Sequence, residues 1–416
     1  MRADGTCDSG RGAPATAARA SRPGSVREVF AAFLKLGCTS FGGPVAHLAY
    51  FRAELVAKRR WVSDERYADL VALCQFLPGP ASSQVVFGLG MQRAGLGGAL
   101  AASLAFTLPS ALLMIACGYG LALAGSGGAG WLHGLKLAAV VVVAQAVWGM
   151  GKQLCPDRAR RLLALGAAAL LLAAPGAAVQ IAVLAAGALI GRWRYGTELD
   201  LGEPPGAERA PAGRVAGGVA LLVFAALLVL LPALAARWPA SALAPFDSFY
   251  RSGALVFGGG HVVLPLLRAE LVPRGWVSDD QFLAGYGAAQ ALPGPLFTFA
   301  AYLGTVMRPG PGAWQHGLWC LLGVFLPAWL LIGGALPFWH RLRAQRGVRA
   351  ALAGANAAVV GVLLATLYSP VFVEGVRRAP DAAAALVGFA LLEPGRVPPW
   401  AMVLLMAAAG QWVLPH

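Results

Sequence analysis

Charged residues are scarce in this 416-residue chain, at 12% of the sequence, and acidic residues (19) are fewer than basic ones (33). Hydrophobic residues make up 58%, and the mean hydropathy is +0.65. Such a composition excludes an ordinary soluble domain and indicates an integral membrane protein. Uncharged runs such as 99–123 and 215–236 are as long as the roughly 20 residues that cross a bilayer core of about 30 Å. They lack the alternation of a membrane β-barrel strand.

Signatures of enzymes and metal sites are also missing. The sequence has no G-x4-G-K-[ST] phosphate loop, no H-E-x-x-H pair and no nucleophile elbow. Its six cysteines are scattered without CxxC spacing, so they predict neither a metal site nor a disulfide framework. We therefore expect a protein that is not an enzyme and that uses no metal and no cofactor.

The net charge of +14 comes from short Lys and Arg clusters between the apolar runs. This pattern is typical of membrane topology signals, so we expect no nucleic-acid partner. Residues 1–24 are basic and lack the apolar core of a secretory signal. They predict a disordered tail that lies against anionic lipid.

The chain contains one series of motifs twice. Each copy has, in order, Phe-Gly-Gly, Arg-Ala-Glu-Leu-Val, Trp-Val-Ser-Asp, a glutamine and Leu-Pro-Gly-Pro. The series starts at Phe41 and again at Phe257, and the offset of 216 residues at the glycine motif becomes 215 at the proline motif. One residue has therefore been lost between them. Internal duplication in an apolar chain is typical of transporters whose paired broken helices meet at a central site.

The duplication divides the chain into the basic tail (1–24), a first half (25–195), a linker with an unpaired apolar run (196–246) and a second half (247–416). One unpaired crossing turns the second half upside down relative to the first. Charge supports this inversion at two of three loops. The clearest case is that 124–130 is uncharged whereas 340–349 carries four arginines. We predict an all-α polytopic membrane protein of two inverted repeats with Gly/Pro-broken helices and about 10–13 membrane segments.

The proline motifs break the helices that contain them, because each proline lacks an N–H and clashes with the preceding turn. They also suit a new helix start, with Gly79 as cap and Pro80 as first residue. The free N–H groups that follow, among them those of Ser82, Ser83 and Thr298, then carry the positive end of a helix dipole. Such a terminus favours an anion.

The glycine motifs extend this prediction to four half-helix starts that converge near the membrane midplane. Gly43 is the expected cap with Pro44 as first residue, whereas Gly260 replaces the proline in the second half. The alternative is that Gly and Pro only kink helices and permit close packing. The candidate substrate-binding residues are Gly42, Gly43, Gln75, Pro78, Gly79, Pro80, Ser82, Ser83, Gly258, Gly259, Gly260, Gln290, Pro293, Gly294, Pro295 and Thr298.

Four charged residues after the glycine motifs are candidates for an entrance or gate of the substrate pathway: Arg52, Glu54, Arg268 and Glu270. The alternative is surface ion pairing, since each glutamate has a basic residue four positions later. Gln75 and Gln290 either bond the anion or satisfy carbonyls freed by the break.

Histidines and tryptophans receive structural interpretations. His47 and His261 occupy non-equivalent positions, with a protonatable contact as the alternative for His261; Lys35, in the first apolar segment, is a similar alternative. The Trp-Val-Ser-Asp motifs predict interfacial anchors followed by N-caps at Ser63 and Ser278, and Gln281 completes a capping box.

The duplicated motifs resemble the chromate ion transporter family over nearly the whole chain. The resemblance implies two homologous halves of opposite orientation in the bacterial inner membrane, and export of chromate, with sulfate as a look-alike ligand. The two copies differ where Pro44 aligns with Gly260, and where the polar residues 82–84 align with residues 297–299. The first half is therefore expected to carry more of the anion contact.

Export is favoured on physical grounds as well, because a dianion that leaves a negative-inside cell gains about 4.6 kcal/mol per 100 mV. We expect a secondary transporter, driven by the membrane potential, whose halves rock around a central site. The alternatives are a carrier of sulfate or another oxyanion and a non-transporting membrane subunit. The expected partners are the anion and membrane lipid, and a homodimer is left open.

Overall fold

The computed structural model describes residues 24–124, 130–195, 213–256, 260–339, 345–392 and 397–412. Within these ranges the chain is mainly helical and has no β-strand, which confirms the predicted all-α membrane protein. The basic tail and most of the linker lie outside the described residues, as do parts of the loops 124–130 and 340–349.

The described residues of the first half form seven α-helices before the linker. They are α1 (Val26–Thr39), α2 (Gly43–Phe51), α3 (Asp64–Phe76), α4 (Ala81–Ala124), α5 (Gly130–Leu154), α6 (Arg158–Ala173) and α7 (Ala177–Tyr195). Helix α4 combines two segments, because Ala94 and Gly95 between them have non-helical backbone angles. The unpaired apolar run forms α8 (Arg214–Arg237), most of whose surface is exposed.

The second half repeats this order. Its helices are α9 (Leu243–Ala254), α10 (Val263–Leu271), α11 (Asp279–Ala291), α12 (Phe299–Met307), α13 (Ala313–Ala335), α14 (Arg346–Thr366), α15 (Ala379–Leu392) and α16 (Pro399–Trp412). Helices α12 and α13 correspond to the two segments of α4, and α14 to α16 correspond to α5 to α7. Five described helices are long and apolar enough to span a membrane, and two shorter apolar ones accompany them. The larger count of 10–13 segments stays a prediction.

A single extra residue in the first half explains a local difference between the copies. The offset changes from 216 to 215 between Val56 and Trp61, and there α2 continues into a π-helix, Arg52–Lys58. The Arg59 N–H bonds the carbonyl of Glu54, five residues earlier. A π turn accommodates one inserted residue without shifting the flanking helix. The equivalent α10 has no π segment.

The halves are interlocked through their last three helices. Helix α5 of the first half packs on α16 of the second half. Helix α7 of the first half packs on α14, which is the second-half equivalent of α5. Both crossings are lined by small residues: Gly134 and Gly410 meet in one, and Gly191 and Gly354 in the other, where a Cβ on any of the four would clash with facing backbone. Small residues at this spacing let membrane helices approach closely.

The described residues form two large hydrophobic cores and two small ones. Of the two large cores, the smaller joins α1 to α4 with the end of α13, through Ile332, Ala335 and Trp339. The larger joins the second half with α5. The end of α13 thus fixes the first four helices to the other half.

Candidate functional site

The two proline motifs form sharp breaks. Gly79 and Gly294 have φ of +116° and +91°, a region that residues with a Cβ disfavour. The Gln84 N–H bonds the carbonyl of Pro80, and α4 begins at Ala81. The expected cap at Gly79 is therefore wrong by one residue: Pro80 is the cap, because its carbonyl accepts the first bond of the helix.

The second break differs in detail. A short 3-10 turn, Leu296–Thr298, precedes α12. The N–H and the hydroxyl of Thr298 both bond the Pro295 carbonyl, at 3.0 and 2.9 Å. The expectation of a free Thr298 N–H is therefore wrong, because a 3-10 turn pairs one residue earlier than an α-helix.

Each break is bonded to the other half. The Gly79 N–H donates to the carbonyl of Val256 at 2.6 Å, and the Gly294 N–H donates to the carbonyl of Ser40 at 2.9 Å. Ser40 and Val256 are themselves equivalent, 216 residues apart. The two bonds therefore form one symmetric exchange at the centre of the fold.

The walls beside the two breaks correspond in position. A Cβ on Gly294 would meet the Ser110 hydroxyl and the Phe106 carbonyl. A Cβ on Gly79 would meet the Gln84 amide nitrogen first and then Ala328, the counterpart of Ser110. Polar groups therefore lie beside both breaks, although the Ser110 hydroxyl has only a methyl group as its counterpart.

The glycine motifs begin the second pair of half-helices. Gly42 (φ +95°) is the N-cap of α2, Gly43 (φ +75°) is the first residue and Pro44 the second. The expected cap at Gly43 is thus also wrong by one residue. Gly258 and Gly259 lie outside the described residues, and Gly260 begins a short 3-10 turn that leads into α10.

Buried polar atoms without a protein partner concentrate in the first half. The described residues offer no partner to the hydroxyls of Ser40 and Ser83 or to Oε1 of Gln84. In the second half the same holds for the Ser252 hydroxyl and Nε1 of Trp329. A buried polar group left unpaired costs about 1–3 kcal/mol. Such groups are therefore expected to face a polar ligand or water.

Several predicted residues take different positions in the two halves. Gln75 is exposed, whereas Gln290 is partly buried beside the Tyr286 hydroxyl. Ser82 and Ser83 are buried at the start of α4. His261 is bonded through Nδ1 to the Tyr286 hydroxyl at 2.7 Å. The two glutamines therefore do not form equivalent contacts.

The charged candidates form ion pairs that repeat between the halves. Arg52 pairs with Asp64 and Arg268 pairs with Asp279, each at 2.7 Å. The expected i,i+4 pairs also form, at 3.5 Å for Glu54 with Lys58 and 3.2 Å for Glu270 with Arg274.

Sequence reasoning missed a third repeated pair. Lys35 contacts Glu54 at 3.3 Å, and the equivalent Arg251 contacts Glu270 at 2.7 Å. Arg251 also pairs with the buried Asp247 at 2.8 Å. The identical 216-residue offset of Lys35 and Arg251 was the signal that could have revealed it.

Known proteins resemble this chain in both halves. The family model described as "Chromate transporter" matches residues 27–192 and 243–411. A chromate transport protein of Pseudomonas aeruginosa is 35% identical over 355 residues, which cover 83% of this chain and 80% of that protein. A chromate transport protein of Cupriavidus metallidurans is 28% identical over 378 residues, 88% of either chain. No solved structure matches the chain.

Proposed function

The chain belongs to the chromate transporter family, and from that premise we propose that it exports chromate across the bacterial inner membrane. Export proceeds by alternating access of the two halves around the crossing of the broken helices. Sulfate, which has the same charge and shape, is a competing ligand.

The observation that carries this proposal is the exchange at the crossing. The Gly79 and Gly294 N–H groups each bond the other half, so the two breaks lie where the halves meet. The N–H groups that begin α4 carry the positive end of its dipole, which favours an oxyanion without a costly intramembrane arginine. The unpaired hydroxyls of Ser40 and Ser83 lie in the same half.

The ion pairs fit a role at the entrance. Arg52 and Asp64 are more than half exposed, at 65% and 62% of their side chains. An exposed arginine with one carboxylate partner exchanges that partner for an anion at little cost. Arg268 is the equivalent group on the second half, with Glu54 and Glu270 holding neighbouring cations in place.

The membrane potential supplies the driving force. A dianion moving outward gains about 2.3 kcal/mol per charge per 100 mV, which is about 4.6 kcal/mol in total. Transport in this direction needs no coupled ion.

Everted membrane vesicles test the proposal directly. Vesicles with the protein should accumulate labelled chromate when an inside-positive potential is imposed. Excess sulfate and collapse of the potential should each reduce this accumulation. Vesicles without the protein provide the control for leakage.

The outcomes separate the alternatives. Accumulation that sulfate reduces supports an oxyanion exporter. Stronger accumulation of labelled sulfate than of chromate would favour a sulfate carrier that takes chromate as a passenger. No movement of either anion under any gradient would contradict transport and leave a non-transporting subunit.

A further inference from the structure

We propose that α11 is the outer gate of the transport path and α3 the inner gate, and that the conformation closed at α11 and open at α3 is the more stable one. Helices α3 and α11 are equivalent, and each leads to the proline break of its half. This inference rests on the proposed function and deepens it, since it assigns the two gates of alternating access to particular helices.

The first argument is that a contact between helices is formed on one side of the fold and not on the other. Helix α11 packs along α5. In the part of the chain that the structure describes, α3 is not packed in this way on α14, the equivalent of α5. Inverted repeats that shared one conformation would form both contacts. The fold is therefore closed along α11 and open along α3.

The second argument is the burial of equivalent helix faces. Asp280, Leu283 and Gly287 share one face of α11, by their spacing of three and four residues. Leu283 is fully buried, and a Cβ on Gly287 would meet the Leu135 carbonyl of α5. The equivalent residues of α3 are exposed, as is the glutamine that ends this face: Glu65, Ala68, Ala72 and Gln75. A face of small and polar side chains is suited to a water-filled path, not to lipid.

The third argument is an ion pair that holds the closed contact. Lys136 of α5 contacts Asp280 of α11, with 2.5 Å between Nζ and Oδ1. Only 7% of the Lys136 side chain is exposed, and the residue lies within an apolar span. A charged side chain inside such a span is costly without a partner. Separation of α11 from α5 is therefore opposed by the exposure of an unpaired cation.

The sequence of the open side lacks both devices. Gly134 and Gly354 occupy equivalent positions in the two helix crossings, so the counterpart of Lys136 is Asn356. An asparagine forms no ion pair with Glu65. Ala72 stands in place of Gly287, and its Cβ does not allow the same close approach. Closure along α3 is therefore the weaker of the two contacts.

Charge assigns the two gates to sides of the membrane. Helix α3 follows the basic residues 58–60, whereas α5 follows the uncharged segment 124–130, so α3 begins at the cytoplasmic face and Lys136 lies near the outer face. From Asp280 to Leu292, α11 rises about 18 Å, similar to half of a bilayer core of about 30 Å. The outer gate thus extends from the outer surface to the break, and an anion enters from the cytoplasm.

Cysteine reporters test the gates in the full chain, after replacement of its own cysteines and purification in detergent. Ala68→Cys reports on α3 and Leu283→Cys on the equivalent position of α11, and a hydrophilic maleimide reaches both sides. Each reporter is combined with Lys136→Met, which removes the ion pair, or with Asn356→Met, the matched control on the other side.

A third combination uses Gly287→Ala, which disturbs the same contact by size and leaves the ion pair in place. The thermal midpoint of each protein reports on folding. In membranes, an impermeant maleimide applied to everted vesicles or to right-side-out cells shows the side from which Ala68→Cys is reached.

Without anion, we expect Ala68→Cys to react at least tenfold faster than Leu283→Cys, and to do so from the cytoplasmic side. We expect Lys136→Met and Gly287→Ala each to speed the reaction at position 283 at least threefold, whereas Asn356→Met leaves both rates within twofold. Equal rates at the two reporters, or a rate at position 283 that neither variant raises, would overturn the inference. Labelling of Ala68→Cys from the outer side would do the same.

Transport of chromate by the wild type in everted vesicles keeps this inference distinct from the proposed function. If the reporters differ as expected but no anion moves, export fails and the two gates stand. If wild type exports chromate while both reporters react alike, the function stands and the assignment of the gates fails. If no anion moves and the reporters react alike, both are overturned.

Discussion

Gly79 in the first half donates its N–H to the carbonyl of Val256 in the second half, at 2.6 Å. The equivalent bond joins Gly294 to Ser40 at 2.9 Å. Each half thus supplies one donor and one acceptor at equivalent positions. The interface between the halves therefore resembles the contact of a two-fold symmetric dimer. Neither half completes its broken helix alone.

Alanine at the two glycines should have unequal effects. Both positions have positive φ, so each substitution costs about 1–2 kcal/mol in backbone strain alone. A Cβ at 294 also meets the Phe106 backbone carbonyl, whereas a Cβ at 79 meets chiefly the flexible Gln84 amide. We expect Gly294→Ala to lower the thermal midpoint and the rate of chromate transport more than Gly79→Ala.

The control for this comparison is Gly166→Ala, because a Cβ there meets nothing. It should leave both quantities near wild type. Equal losses at positions 79 and 294 would show that the close approach to Phe106 is unimportant.

Arg251 and Lys35 occupy equivalent positions, but removal of each cation should affect the stability of the protein differently. Arg251→Met leaves the carboxylates of Asp247 and Glu270 near each other, with 3% and 10% of their side chains exposed. Loss of one partner from a buried pair costs about 3–5 kcal/mol. Lys35→Met removes a cation that is 53% exposed, where such pairs contribute about 0–1 kcal/mol.

Unfolding in detergent measures both variants against wild type. The arginine variant should be much the less stable of the two. Similar stability of the two variants would mean that Arg251 contributes no more than an exposed lysine.

Asp157, which lies outside the membrane segments, is expected to make the stability of the protein depend on pH. Burial alone would raise the pKa of this carboxyl, but hydrogen bonds from Arg160 and Tyr195 outweigh it and lower the pKa from 3.8 to about 2. The carboxylate caps α6. Because the folded pKa is the lower one, the stabilisation is complete above pH 3.8 and is lost as the pH falls through about 2.

Asp157→Asn tests this dependence. The side chain is 40% exposed, so screening limits the effect to about 1 kcal/mol or less. Wild type should be the more stable protein at neutral pH, and the difference should shrink in strong acid. A difference that is constant down to pH 2 would assign the stabilisation to something other than the carboxylate.

Inverted halves predict labelling from opposite sides of the membrane. Arg158→Cys and Arg377→Cys place reporters at exposed, equivalent loops in a chain whose own cysteines are replaced. By the distribution of basic residues, position 158 faces the cytoplasm. An impermeant maleimide should label it in everted vesicles and label position 377 in right-side-out cells. Labelling of both from one side would contradict the inversion.

Local features were predictable from the sequence, and long-range ones were not. The capping box of Ser278 and Gln281 is confirmed, as are the i,i+4 pairs of Glu54 and Glu270, because the participants lie within one turn. The pair of Arg52 with Asp64 spans a π-helix and a loop. Helical periodicity carries no information across such a break.

The helix caps show the same limit at finer scale. The motifs located both breaks correctly but placed the caps at Gly79 and Gly43, one residue away from Pro80 and Gly42. Proline and glycine both fit several positions at a helix start, and the facing half decides among them. The bond of Arg251 to Glu270 was likewise missed, because the two residues lie 19 positions apart and meet only when their helices are in place.

During synthesis the first half is made before its partners in the symmetric exchange. When the first half has entered the membrane, the Gly79 N–H and the Ser40 carbonyl still lack Val256 and Gly294. The small faces of α5 and α7 likewise wait for α16 and α14. On its own the first half therefore has two open polar groups, which are satisfied once the breaks of the second half are present, whereas its small-residue faces are covered only by the last helices.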